Sequence, residues 1–115
     1  MQGKRLDRVN QLIKEEISTL LQRELKDPRL GFVTVTEVET AKDLRTAKVF
    51  VSVLGDDRQW KASMAALESA RGFVRNWLRQ TLDLRVTPEL DFRADHSLEH
   101  AARIQSLLKQ VHPES

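Results

Sequence analysis

Thr46-Ala47-Lys48-Val49-Phe50-Val51-Ser52-Val53-Leu54-Gly55-Asp56-Asp57 is the stretch that decides the fold. Ala47, Val49, Val51 and Val53 alternate with Lys48, Phe50 and Ser52. A period of two puts the small and β-branched apolar residues on one face of a strand over 46–54. Gly55-Asp56-Asp57 then closes it with a strong turn signal. Upstream, residues 32–38 alternate in the same way, with Val33 and Val35 on one face and the β-branched Thr34 and Thr36 on the other. The polar connection Thr40-Ala41-Lys42-Asp43 is short, so the two strands are expected to form an antiparallel hairpin with one buried face.

Helices flank this hairpin. Over residues 7–25, Val9, Leu12, Ile13, Ile17, Leu20, Leu21 and Leu25 keep the three-and-four rhythm of one buried helix face. Asp27-Pro28 ends that helix, because the residue before proline is pushed out of the helical region. A longer helix is predicted over 58–82. At about 100° per residue, Trp60, Ser63, Ala66, Leu67, Ala70, Phe73, Val74, Trp77 and Leu78 share one side, and Lys61, Glu68, Arg71, Arg75 and Arg79 the other. Residues 84–88 connect to a third strand over 89–94, with Leu90, Phe92 and Ala94 in phase. Asp95 or Ser97 can cap a last helix reaching about residue 110, on which Leu98, Ala101, Ile104, Leu108 and Val111 make a thin apolar face. The polar tail His112-Pro113-Glu114-Ser115 is expected to fray. Helix, strand, strand, long helix, strand, helix is the order of a two-layer α+β domain. If the second and third strands are parallel, the crossover through the long helix should be right-handed.

Composition excludes several classes. The chain has 115 residues, 40% hydrophobic and 31% charged, which suits one ordinary globular domain. It has no cysteine, so neither a disulfide framework nor a thiolate metal site can form. No apolar run approaches the roughly 18 residues needed to span a bilayer, and no apolar core follows the charged N-terminus as in a signal peptide. A cytoplasmic location is the expectation. Net charge is only +2, but residues 58–85 hold six basic side chains against two acidic ones, Glu68 and Asp83. The basic charge is therefore local.

Its centre is Ala70-Arg71-Gly72. Arg71, Arg75 and Arg79 recur at spacing four and form a stripe on one helix face. Gly72 inside the helix costs about 1 kcal/mol relative to alanine, so it calls for a reason. Arginine forks grip phosphate oxygens bidentately, and a helix without a Cβ lets an RNA backbone come close. The ordinary alternatives are a solvated helix face for the arginines and a packing bend for the glycine. Arg45 and Lys48, with Lys42, can extend the surface or serve as edge charges that discourage strand pairing. Lys4, Arg5 and Arg8 can add phosphate contacts. Of the aromatics that could stack on bases, Phe73 and Trp77 fall on the apolar side and are read as core, leaving Phe50 as the one with a prospect of exposure.

Catalysis finds little support. His96 and His100 stand four apart beside Asp95 and Glu99, but no third metal ligand follows at suitable spacing. There is no nucleophile elbow, P-loop or dinucleotide fingerprint. No enzyme, cofactor or metal is expected. A basic module that binds an acidic protein partner is the alternative to RNA binding.

The pieces, in their order and spacing, resemble one family: ribosome-binding factor A of bacteria. Arg8-Val9 opens the likeness, followed by Arg23-Glu24-Leu25-Lys26-Asp27-Pro28-Arg29-Leu30-Gly31, its most specific part. Val33-Thr34-Val35-Thr36, Asp43-Leu44, residues 47–55, Pro88-Glu89-Leu90 and Asp95 continue it, so that it covers about residues 5–108. The resemblance implies a type II KH-like fold over the whole chain, 1–115, with an ordered core of about 5–110. It also implies an Ala-x-Gly kink between two helical segments, matched here by Ala70-Arg71-Gly72. The function implied is non-enzymatic: binding as a monomer to the small (30S) ribosomal subunit and its 16S rRNA, help in late maturation including 5′-end processing, and support of growth in the cold. On that footing the RNA-binding candidates are Ala70, Arg71, Gly72, Arg75, Arg79, Arg45 and Lys48, with no small-molecule substrate and no membrane. Many members carry a longer, often basic C-terminal tail, and what such a tail adds to ribosome affinity is not expected from this chain.

Overall fold

A computed structural model describes residues 2–111, and the tail expected to fray lies outside the described residues. The elements run α1 (Gln2–Arg23), β1 (Val33–Thr40), β2 (Thr46–Val53), α2 (Asp57–Thr81), β3 (Glu89–Ala94) and α3 (Ser97–Val111). The sheet order is β1-β2-β3, with β1 antiparallel to β2 and β2 parallel to β3. This is the α+β order expected. The helical crossover between β2 and β3 is α2.

Helix α1 buries Ile13, Ile17, Leu20 and Leu21 as its rhythm predicts. It begins five residues earlier than position 7, because Lys4 and Arg5 are exposed and the apolar pattern starts only after the helix does. Beyond its last residue, the N–H groups of both Glu24 and Leu25 donate to the Leu20 carbonyl at 2.9 Å. Asp27 then folds the chain around itself. Its Oδ1 accepts from the Arg29 backbone N–H (2.9 Å) and its Oδ2 from Arg29 Nη2 (2.8 Å), which holds the Asp27 carboxyl below its ordinary range. The turn is tied to α2 by the buried Ser63, whose Oγ accepts from the Gly31 N–H at 3.1 Å.

Strand β1 departs from simple alternation. The register steps from Val35↔Val51 to Glu37↔Phe50, so Thr36 is the extra residue of a β-bulge. Val38 and Thr40 therefore face inward after it, and the strand runs two residues further than expected. The freed Thr36 hydroxyl donates to Asp95 Oδ2 at 2.6 Å, joining β1 to the end of β3. Asp95 Oδ1 accepts the N–H of Ser97 at 2.9 Å and so opens α3.

Helix α2 starts on a capping box: Asp56 Oδ1 accepts from the Gln59 N–H, and Gln59 Oε1 accepts from the Asp56 N–H. Gly55 before it has φ +143°, and a Cβ there would collide with the Gln59 side chain. Trp60, Ser63, Ala66, Leu67, Val74 and Leu78 are buried on one side. With α1 they cover Val35, Val38, Ala47, Val49, Val51, Leu90 and Phe92 from one sheet face. Phe73, read as core from the wheel, is instead 51% exposed, because it sits at the margin of the apolar arc. Trp77 is half-buried, its Nε1–H donating to Glu16 Oε1 on α1 at 2.8 Å. Phe50, expected to have a prospect of exposure, is also half-buried. Ala94, in phase with Leu90 and Phe92, is exposed because β3 ends there.

Helix α3 stands off the domain. Residues 97–110 are exposed throughout, so its apolar face, including Leu98, Ile104, Leu107 and Leu108, is uncovered. Its base is held where Trp60 Nε1–H donates to Glu99 Oε1 at 2.8 Å and the His96 ring lies 4.1 Å from the Trp60 ring.

The Thr36–Asp95 bond gives a pH signature. The Thr36 hydroxyl, and then Ser97, hold the Asp95 carboxyl below its ordinary 3.8. A carboxyl depressed on folding contributes stability above its ordinary value and loses it as pH falls through the lower folded value. Thr36→Val should therefore be less stable than the parent near neutral pH, and the gap should narrow below about pH 4, as read by urea melts across pH 2.5–7.

Candidate nucleic-acid interface

Helix α2 runs unbroken from Asp57 to Thr81, so the two helical segments implied by the resemblance are joined in one run through Ala70-Arg71-Gly72. The exposed side of α2 and the start of β3 enclose an open cleft of about 460 Å³, lined by Arg71, Gly72, Arg75, Asn76, Arg79 and Glu89. Four of these were candidates from the sequence, and the structure brings them together. Ala70 is half-buried against the core and supports the cleft from behind.

The three arginines, equivalent by spacing, differ in the structure. Arg75 is tied down: its Nε donates to the Pro88 carbonyl at 3.2 Å, its Nη2 to the Thr87 carbonyl at 3.0 Å, and its Nη1 lies 3.6 Å from Glu89 Oε1. It fastens α2 to the chain entering β3 and thereby sets the width of the cleft. Among the described residues Arg71 pairs only with Glu68 on its own helix at 3.2 Å, with both side chains about half exposed or more, so that pair is easily exchanged for another anion. Arg79 donates to Asn76 Oδ1 and has no carboxylate within ion-pair distance among the described residues. Arg71 and Arg79 are the two forks ready for an anion.

Gly72 lies between them with an exposed backbone, and a Cβ added there would meet nothing within 4 Å. Packing therefore does not require the glycine. Its effect is to leave α2 bare at the centre of a cationic surface.

Arg45 belongs near this cleft and Lys48 does not. The Arg45 carbonyl accepts the Glu89 N–H at 2.8 Å, setting this exposed residue beside a lining residue. Lys48 points from β2 away from the helices, in register with Glu39 on β1 and Asp91 on β3. Lys42 is exposed in the hairpin loop, and Lys4, Arg5 and Arg8 on the outer turns of α1. Sequence reasoning missed Asn76 and Glu89. Asn76 is one turn beyond Gly72, a signal the helical spacing carried; Glu89 reaches the cleft only through strand pairing. His96 Nδ1 lies 3.2 Å from Glu99 Oε2, and among the described residues no three His, Cys, Asp or Glu side chains gather as a metal site would need. Among them, too, no helix is long and apolar enough to cross a membrane.

A three-stranded mixed sheet covered on one face by two helices, with a cationic cleft at the middle of the second, is an α+β domain of KH-like fold. The family model described as ribosome-binding factor A matches residues 5–108, and the chain belongs to that family. It is 50% identical over 114 residues to a protein of Halothermothrix orenii named ribosome-binding factor A, covering 99% of this chain and 93% of that one. The crystal structure of ribosome-binding factor A from Thermus thermophilus superposes with a TM-score of 0.69 at 25% identity, covering 77% of this chain and 94% of that one. A homology model of the Thermus thermophilus protein, fitted into a cryo-electron microscopy map of its complex with the 30S subunit, gives 0.64 at 25% identity over 76% and 91% of the two chains.

The geometry separates the residues by their effect on stability. Gly72→Ala should raise stability by about 1 kcal/mol, the helix-propensity difference, since the new Cβ enters open space. Arg75→Ala should lower it by about 1 kcal/mol, because two backbone carbonyls lose a charged donor at a half-exposed site. Arg71→Ala and Arg79→Ala should stay within about 0.5 kcal/mol. Thermal and urea melts of the four variants check this.

Proposed function

We propose that this chain is a non-enzymatic assembly factor that binds the small ribosomal subunit and its 16S rRNA, acting in the cytoplasm during late maturation, including processing of the 5′ end. The observation that carries the reading is the cleft in which two available arginine forks flank the bare backbone of Gly72. An RNA backbone crossing α2 there can approach the helix closely while its phosphates exchange with Glu68 for Arg71 and add to Arg79. The Thermus thermophilus relative, fitted into a complex with the 30S subunit, supports the same partner for this chain.

Such binding is a clamp. The protein acts by stabilising one conformation of the RNA and leaving when that segment is drawn into the mature subunit. Support of growth in the cold fits this action, since misfolded RNA rearranges more slowly at low temperature.

The test leaves Arg75 in place, because it holds the cleft together. The parent should co-sediment with small subunits at low salt. Arg71→Glu combined with Arg79→Glu should abolish this with the melting temperature little changed, and milder Arg71→Ala with Arg79→Ala should reduce the salt slope by roughly 0.7–0.9 per arginine. Unchanged sedimentation of the glutamate variant overturns the proposal. A complex that survives nuclease treatment would point instead to an acidic protein partner.

A further inference from the structure

The outward half of α2 has two flanks of different chemistry. The flank towards β3 carries Arg71, Arg75 and Arg79, since Arg75 reaches the chain just before that strand. The flank towards α1 is fixed by Trp77, which bonds Glu16, and along it lie Ser69, Phe73 and Gln80, all exposed and none charged. Gly72 lies between the flanks without a side chain. The Phe73 ring, 51% exposed, is the one large hydrophobic side chain of α2 that the fold leaves open to solvent among the described residues.

We infer that Phe73 is a base-stacking platform, so that the cleft takes RNA with at least one unpaired nucleotide. The inference rests on the RNA reading above and adds the substrate's form. A single strand has a phosphate side and a base side, and a helix with one cationic and one neutral aromatic flank matches both when the strand crosses at Gly72. Phosphates then lie on Arg71 and Arg79, while a base crosses the bare backbone to reach Phe73. Stacking on an aromatic face needs an unstacked base, which an A-form duplex does not present. The exposed Gln80 amide and Ser69 hydroxyl on the same flank carry donors and acceptors that a base edge can use.

The test uses the purified full chain with two fluorescent RNAs, an unstructured oligonucleotide and a hairpin duplex of equal length, across a salt series. The parent should prefer the unstructured RNA. Phe73→Ala should weaken that binding about five- to a hundredfold, leave the duplex affinity alone and leave the salt slope unchanged, because the ring meets no phosphate. Phe73→Trp should restore binding and Phe73→Leu should not. Phe73→Leu binding as tightly as the parent, or equal losses on both RNAs, overturns the stacking inference. The Arg71→Glu, Arg79→Glu variant separates the two readings. If it keeps both RNAs bound, the RNA reading itself fails; if it loses both while Phe73→Ala loses neither, only the stacking inference fails. Melting curves of each variant confirm the fold, which an exposed side chain does not govern.

Discussion

The parallel pairing of β3 with β2 is the constraint on which the functional side of the molecule depends. A parallel neighbour can be reached only by carrying the chain back along the sheet, and eight residues of β2 extend about 26 Å. Helix α2, with 25 residues and a length of about 37 Å, makes that return and overshoots it. The capping box at Asp56 and Gln59 starts the helix cleanly, and Gly55 turns the chain where any side chain would strike Gln59. The overshoot lays the second half of α2 beside the entry to β3. Without that juxtaposition the arginines would form a stripe but not a cleft.

Within the cleft, rigidity and availability fall to different side chains. Arg75 spends its donors on the Thr87 and Pro88 carbonyls and so holds two elements at a fixed distance. Arg71 and Arg79 engage only exposed partners on their own helix among the described residues, Glu68 and Asn76, which an incoming group can replace. The glycine is the complement of this arrangement: it gives up helix stability at a point where no packing gain offsets the loss. Local sequence rules broken without a structural return are expected where a macromolecule performs a function.

Much of the fold was legible because the signals were local. The alternation from Ala47 to Val53 named its own buried face, and the rhythm of Ile13, Ile17 and Leu20 did the same for α1. What escaped depended on contacts between distant residues. Nothing near Thr36 announces a bulge, whose hydroxyl meets a carboxylate 59 positions away. Phe73 was misassigned because it lies at the margin of the apolar arc, where a helical wheel does not show at which angle burial ends. The arginine stripe was visible in the spacing, whereas the separate role of Arg75 and the placement of Lys48 on the sheet face away from the helices follow from strand order and register.

The seam at the base of α3 has an optical consequence. The protein has two tryptophans, and each indole N–H is bound to a glutamate across a different seam: Trp60 to Glu99 at the root of α3, Trp77 to Glu16 between α1 and α2. The Trp60 ring also lies against His96, whereas Trp77 reports on the wall of the domain that faces the base-side flank of α2. A 15-residue helix without lateral support is marginal in water, so the two seams open at different free energies. The emission of each indole, isolated by replacing the other with phenylalanine, thus resolves detachment of the last helix from melting of the core within one unlabelled chain.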